Sequence, residues 1–189
     1  MFKVLFALPF VALSLIAAAP AQPVVPTPLS VVPPAEIAND PQNKLTLQLS
    51  NGGTVVIILR PDAAPNHVER VRTLVKQGFY DGTIFHRVIP GFMAQGGDPT
   101  GTGEGGSKLP DLKAEFNSLP HLRGSVAAAR AEPVDSANSQ FYIMFAPNGG
   151  LDGKYTVYGR VISGMEAVDK IAVGEPAPEP TKILHASIG

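Results

Sequence analysis

No cysteine occurs anywhere in the 189 residues. Disulfide stapling, thiol nucleophiles, cysteine zinc sites and an N-terminal lipidated cysteine are thereby excluded, and stability must rest on packing. Charge is scarce too. Fifteen Lys and Arg against 16 Asp and Glu give a formal net charge of −1, and only 16% of residues are charged. Such a chain has no basic field to draw nucleic acid or an anionic membrane surface. The four histidines, His67, His86, His121 and His185, lack a metal-ligand spacing such as H-x-x-x-H, so no metal site is expected. The loop GTGEGG is followed by no Lys-Ser or Lys-Thr pair opening a helix, and Ser125, Ser136 and Ser139 lack the G-x-S-x-G elbow. Nucleotide binding and serine hydrolysis both lose their usual marks.

What is present begins with a targeting pattern. Lys3 is followed by an uncharged apolar run, residues 4–19, and by Ala19-Pro20-Ala21. This is the layout of a cleavable signal peptide over residues 1–21, too short and too interrupted by Pro9 for a retained span. Export to the periplasm as a soluble protein is the expectation, with no stable membrane insertion once the signal is removed. Residues 22–44, with Pro23, Pro26, Pro28, Pro33, Pro34 and Pro41, have neither helical nor strand periodicity and read as a semi-extended tether. One domain over 45–189 remains, long enough to bury a core.

Within that domain Leu45, Leu47 and Leu49 alternate with polar residues, residues 51–53 turn, and residues 54–60 are rich in Val and Ile, which is a hairpin. Pro65 suits the first position of a helix whose apolar face is Val68, Val71, Leu74 and Val75, with His67 near its start on the solvated side. Strands are expected over 83–89, 92–95, 125–129, 140–145, 155–161 and 181–188, with a second helix over 165–171. Asp111 and Glu115 have nothing apolar gathered around them and are assigned to the surface. Many short strands and only two helices favour a mainly β fold, a closed β-barrel capped by two α-helices, with no sheet edge left open.

The most informative stretch is residues 84–106, IFHRVIPGFMAQGGDPTGTGEGG. Strand alternation puts Phe85, Arg87 and Ile89 on one face and His86, a hydrogen-bonded core residue on this reading, on the other; after the Pro90-Gly91 turn, Met93 and Gln95 fall together. Arg87 can therefore sit beside Met93 and Gln95, with Phe92 at the edge. The glycine-rich run from Gly96 to Gly106 is a loop that would let a ligand backbone come close.

This string resembles the FHRVIPGFM-QGGDPTGTG-GG signature of the cyclophilin-type peptidyl-prolyl cis-trans isomerases, and SVAAARAEPVDSANSQFYIMF (residues 125–145) is similar to that family's downstream segment ending in SQF-I. The resemblance covers residues 45–187 and implies a cyclophilin-like, eight-stranded antiparallel barrel. It also implies an isomerase that needs no cofactor, acting as a monomer on proline-containing peptides and on unfolded or folding proteins. Arg87 and Gln95 would be the catalytic pair. Phe92, Met93, Ala129, Arg130, Gln140 and Tyr142 would bind substrate, as would Leu151 and Tyr155 from GGLDGKYTVYG, which is similar to the family's W-L-D-G-K-H-V-V-F-G. Three residues depart from the pattern. Gly150 stands where many members carry a tryptophan tied to cyclosporin binding, so weak drug sensitivity is expected; Tyr155 replaces a histidine, and Tyr142 a phenylalanine. A proline-recognising holdase that kept the groove without useful catalysis is the alternative.

Overall fold

The computed structural model describes residues 28–189; the expected signal peptide, and residues 22–27 of the expected tether, lie outside the described residues. The alternating leucines form β1 (Lys44–Leu49), which turns at residues 50–53 into β2 (Thr54–Leu59). The remaining strands are β3 (Arg87–Ile89), β4 (Met93–Gly96), β5 (Ser125–Ala128), β6 (Phe141–Met144), β7 (Val157–Ser163) and β8 (Ile183–Ile188). All eight pair antiparallel in one sheet, in the order β3-β4-β6-β5-β7-β2-β1-β8.

That order corrects the expected closed barrel, because the sheet is curled but open, with β3 and β8 as its edges. Among the described residues the seam is crossed by a bridge from Ile84 to Lys182, another from Val88 to Gly174, and scattered bonds such as Phe85 N–H to Thr181 O. The chain that would have to close it, residues 174–180, carries Pro176, Pro178 and Pro180, which lack the N–H a ladder requires. The expected strand over 83–89 likewise shrinks to three residues.

Pro65 opens the helix it was expected to open, α2 (Pro65–Lys76), following the short helical turn α1 (Ala35–Ala38); α3 (Met165–Val168) is a shorter version of the second expected helix. Period-two alternation gives the sheet two apolar faces. Val88, Ala94, Val126, Ala128, Phe141 and Ile143 point into the curl with β1, β2 and α2. Met93, Ala127, Tyr142, Met144 and Val157 point the other way and form a second cluster with Leu119. Strands β5 and β6 are therefore buried along both faces.

The described part of the Pro-rich stretch is fastened to the domain. Leu29 N–H donates to Ser118 Oγ at 2.8 Å, Leu29 packs on the second cluster, and the buried guanidinium of Arg60 donates to Ser30 O at 2.9 Å. Arg60 can do this because Asp62 holds its Nε and Nη2 at 2.8 and 2.7 Å.

Two side chains assigned to the surface are structural. His67 is buried, and Glu115 reaches the start of α2 from 48 residues away, accepting from the N–H groups of Asn66 and His67 and from His67 Nδ1 at 2.6 Å. The helix has no side-chain cap of its own, so a distant carboxylate serves its free N–H groups. Burial holds the His67 pKa below its ordinary 6.5, outweighing the bond to Glu115, and leaves the ring neutral with Nδ1–H as donor. Burial would raise the Glu115 pKa, but the bonds from His67 and Asn66 more than offset it and hold it below 4.5.

Glu115→Ala should cost about 1–3 kcal/mol of stability, read from urea unfolding. In the unmodified protein stability should fall on acidification. The loss starts below pH 6.5, where the unfolded chain's His67 takes a proton the folded one refuses, and deepens below pH 4.5 as Glu115 protonates.

Candidate active site

The strand register builds the site as a row. Arg87 on β3 lies opposite Gln95 on β4, Gln95 lies opposite Tyr142 on β6, and Tyr142 lies opposite Ala127 on β5. Neighbouring strands are about 4.8 Å apart, so the guanidinium, the amide and the ring are held side by side on one face. A second row on the same face runs Ile89, Met93, Met144. The turn between the hairpin strands uses Gly91 at φ +71°, a conformation a side chain resists, and brings Phe92 to the rim.

These rows floor a hollow of about 290 Å³ lined by Arg87, Phe92, Met93, Gln95, Ala129, Arg130, Tyr142, Leu151 and Tyr155. Nine of the ten residues expected in the site thus meet in one pocket. The tenth, Gln140, lines an adjoining hollow of about 510 Å³ that shares Gln95, Ala129 and Arg130 with the first. Tyr155 meets Tyr142 edge to face at 5.9 Å, and the Arg130 guanidinium lies 4.8 Å over the Tyr155 ring. Arg130 is spent on the carbonyls of Ala131, Glu132 and Lys154, so it acts as a fixed wall. Gly150 sits in the short turn Gly149–Leu151 that presents Leu151.

Arg87 is a partly exposed charge of the site, with 39% of its side chain accessible. Its Nε donates to Glu175 Oε2 at 3.3 Å, and neither Nη atom has a hydrogen-bond partner among the described residues. Their four N–H groups are therefore free at a residue that lines the hollow. On the floor, Tyr142 OH lies 3.0 Å from His121 Nε2, and His121 Nδ1 lies 2.9 Å from Asp152 Oδ1. With Nδ1–H donating to the carboxylate, Nε2 accepts from the phenol, so the hydroxyl added at Tyr142 is turned away from the hollow. Burial, reinforced by Tyr155, holds the phenol pKa well above its ordinary 10.

Two expectations on this stretch are corrected. Phe85 packs inside the curl with Val88 instead of sharing a face with Arg87, because residues 84–86 lie outside the ladder and pleat alternation begins only at Arg87. His86 is buried, but neither ring nitrogen has a partner among the described residues, so it is not a hydrogen-bonded core residue. The glycine loop beside it commits its N–H groups to Asp98. Asp98, His121, Asp152 and Glu175 were missed by sequence reasoning. For Asp98 a signal existed, a lone carboxylate heading a run of small residues with many free N–H groups.

The model of the family described as cyclophilin type peptidyl-prolyl cis-trans isomerase/CLD matches residues 44–188. A protein of Brucella suis named as a probable peptidyl-prolyl cis-trans isomerase is 48% identical over 167 residues, covering 80% of this chain and 85% of that protein. Peptidyl-prolyl cis-trans isomerase B of Bacillus subtilis is 41% identical, covering 69% of this chain and 92% of its own length. The crystal structure of a Cryptosporidium parvum cyclophilin-type isomerase, obtained in the presence of the dipeptide Ala-Pro, superposes with a TM-score of 0.71 at 27% identity, covering 77% of this chain and 98% of that one. A cyclophilin from Hirschia baltica gives a TM-score of 0.74 at 29% identity over 79% of this chain and 74% of its own.

Tyr142→Phe should leave His121 Nε2 buried without its partner and lower stability by about 1–3 kcal/mol in thermal unfolding. In the unmodified protein the Tyr142 phenol should stay un-ionised above pH 10 together with the buried phenols of Tyr80 and Tyr158, so the alkaline absorbance titration should fall three tyrosinates short at that pH.

Proposed function

This chain belongs to the cyclophilin-type peptidyl-prolyl cis-trans isomerase family and is a peptidyl-prolyl cis-trans isomerase, and from that premise we propose that the hollow beside Arg87 turns Xaa-Pro bonds in exported proteins. One observation carries the assignment of the site: the two unengaged NH₂ groups of the Arg87 guanidinium lie beside a slot walled by Phe92, Met93, Tyr142 and Leu151. The Ala-Pro dipeptide that accompanies the Cryptosporidium relative supports the same class of ligand.

The barrier to rotation is about 18–20 kcal/mol because resonance keeps the peptide bond planar. No covalent bond and no proton has to move. Lowering a time of about 100 s to about a millisecond takes a factor of about 10⁵, or about 7 kcal/mol. As the bond twists, the prolyl nitrogen regains its lone pair, and an Arg87 Nη–H donates to it; the planar forms offer no such acceptor. The interaction is therefore stronger in the twisted state than in either ground state. The apolar slot grips the pyrrolidine ring and keeps water from the planar amide, so that one side of the bond is held while the other turns. Gln95, in the row beside Arg87, holds the substrate backbone or the guanidinium through its amide.

The leader pattern of residues 1–21, the absence of cysteine and the near-neutral charge support a periplasmic site of action, with envelope proteins in the course of folding as clients. Gly150, which offers no tryptophan wall, supports weak sensitivity to cyclosporin.

Arg87→Ala should slow catalysed exchange on a short Xaa-Pro peptide, followed by NMR, by about 10²-fold or more, with an unchanged far-UV spectrum. Equal rates would reject this site. Aggregation suppression with exchange at background would favour the holdase. N-terminal sequencing of the protein recovered from its host should begin at Gln22.

A further inference from the structure

The carboxylate of Asp98 is fully buried at the head of the glycine-rich loop and gathers six donors. Thr100 N–H and Oγ–H reach Oδ1 at 2.7 and 2.8 Å. On Oδ2 converge Gly103 N–H at 2.6 Å, Thr102 N–H and Gly105 N–H at 3.1 Å, and Thr102 Oγ at 3.4 Å. Burial would raise its pKa, yet these donors bring it down to about 2, so the carboxylate stays charged at any working pH. The loop is folded around an anion belonging to the chain itself. A Cβ on Gly105 would collide with that carboxylate, which is why a glycine stands there.

The loop carbonyls then dictate the next step. Gly103 and Gly105, whose N–H groups face Asp98, turn their C=O groups outward, and both accept from Gln140 Nε2 at 2.8 Å. Gln140 has only two amide hydrogens, so its remaining polar atom, Oε1, can meet a neighbour only as an acceptor. It does so with Gln95 Nε2 at 2.8 Å. Gln95 must therefore turn its NH₂ toward Gln140, which leaves its Oε1 free as an acceptor in the hollow that it lines with Arg87. Nothing within the Gln95–Gln140 pair chooses between the two amide orientations; the loop does.

We propose that Asp98 is a positioning residue for the isomerase: by clamping the loop it fixes the amide orientation of Gln140 and, through it, that of Gln95 beside Arg87. The proposal rests on the hollow being the site of isomerisation. Asp98 touches no substrate and lies outside the proline slot, so its loss should act on turnover more than on peptide binding. Asn in its place offers NH₂ to donors on one side, which opens the loop and frees both glutamines to flip.

The experiment measures catalysed exchange on an Xaa-Pro peptide and peptide affinity by NMR titration, for the unmodified protein, Asp98→Asn, Gln140→Met, their double variant and Arg87→Ala. Asp98→Asn should lower kcat about tenfold or more, as a misplaced polar group does. Peptide Kd should change by a smaller factor than kcat, and the Gln95 and Gln140 side-chain amide resonances should move. In the Gln140→Met background Asp98→Asn should add nothing, since the link is already cut. A folded Asp98→Asn protein with unmodified kcat, or an effect that multiplies undiminished onto Gln140→Met, overturns the proposal. If Asp98→Asn does not fold, the exposed Thr100→Ala, which removes one of the six donors, decides. Shifted glutamine amides with a smaller fall in kcat support the proposal, and unmoved amides overturn it. Should Arg87→Ala match the unmodified rate, the site assignment itself fails; a slow Arg87→Ala beside a normal Asp98→Asn sinks only the role of Asp98.

Discussion

Cross-strand register is the constraint on which the site depends. Arg87, Gln95 and Tyr142 come from three strands that are not all neighbours in sequence, yet the ladder bonds of β3, β4 and β6 fix them as one row. A slip of one residue in β4 would turn Gln95 and Met93 into the curl and bring Ala94 to the hollow. The apolar demand on both faces of β5 and β6 forbids that slip, since it would exchange two differently shaped cores at once. Packing on the inside of the sheet therefore guarantees geometry on the outside.

Around that row lies a polar scaffold whose members are paired in chains. Asp152 orients His121, which takes the Tyr142 hydroxyl out of the slot. Asp98 shapes the loop that serves Gln140. In both cases an anion sits at the far end and an uncharged group faces the hollow. A carboxylate in the wall of the slot would hold water against the substrate, while one two bonds away orders dipoles without wetting the walls and leaves the guanidinium of Arg87 as the charge that meets the twisting bond.

How much of this was legible in the chain depends on the range over which each interaction acts. The β1–β2 hairpin, the Pro65 helix start and the Arg87-to-Gln95 hairpin are local patterns, and they were readable from periodicity and turn residues. The pocket residues on β6 and near Leu151 came from family likeness, because nothing local ties Tyr142 to Arg87. Barrel closure was misjudged because strand counting cannot see that the closing segment is broken by prolines. His67 and Glu115 were placed on the surface because their bond spans 48 residues, and only the folded chain brings a carboxylate to a helix start lacking one. In sequence the glycine run reads as room for a ligand's backbone, whereas its N–H groups converge on an internal carboxylate.

The open seam has a consequence for how such an enzyme can diversify. Glu175, the one acid bonded to Arg87 among the described residues, sits in the irregular segment that borders β3, not in a strand. Its side chain takes no part in any ladder, and it is more than half exposed. Replacements there alter the field at the guanidinium while the eight strands keep their pairing. The framework and the strength of its principal charge are thus inherited on separate stretches of chain, and mutation can adjust one while leaving the other intact.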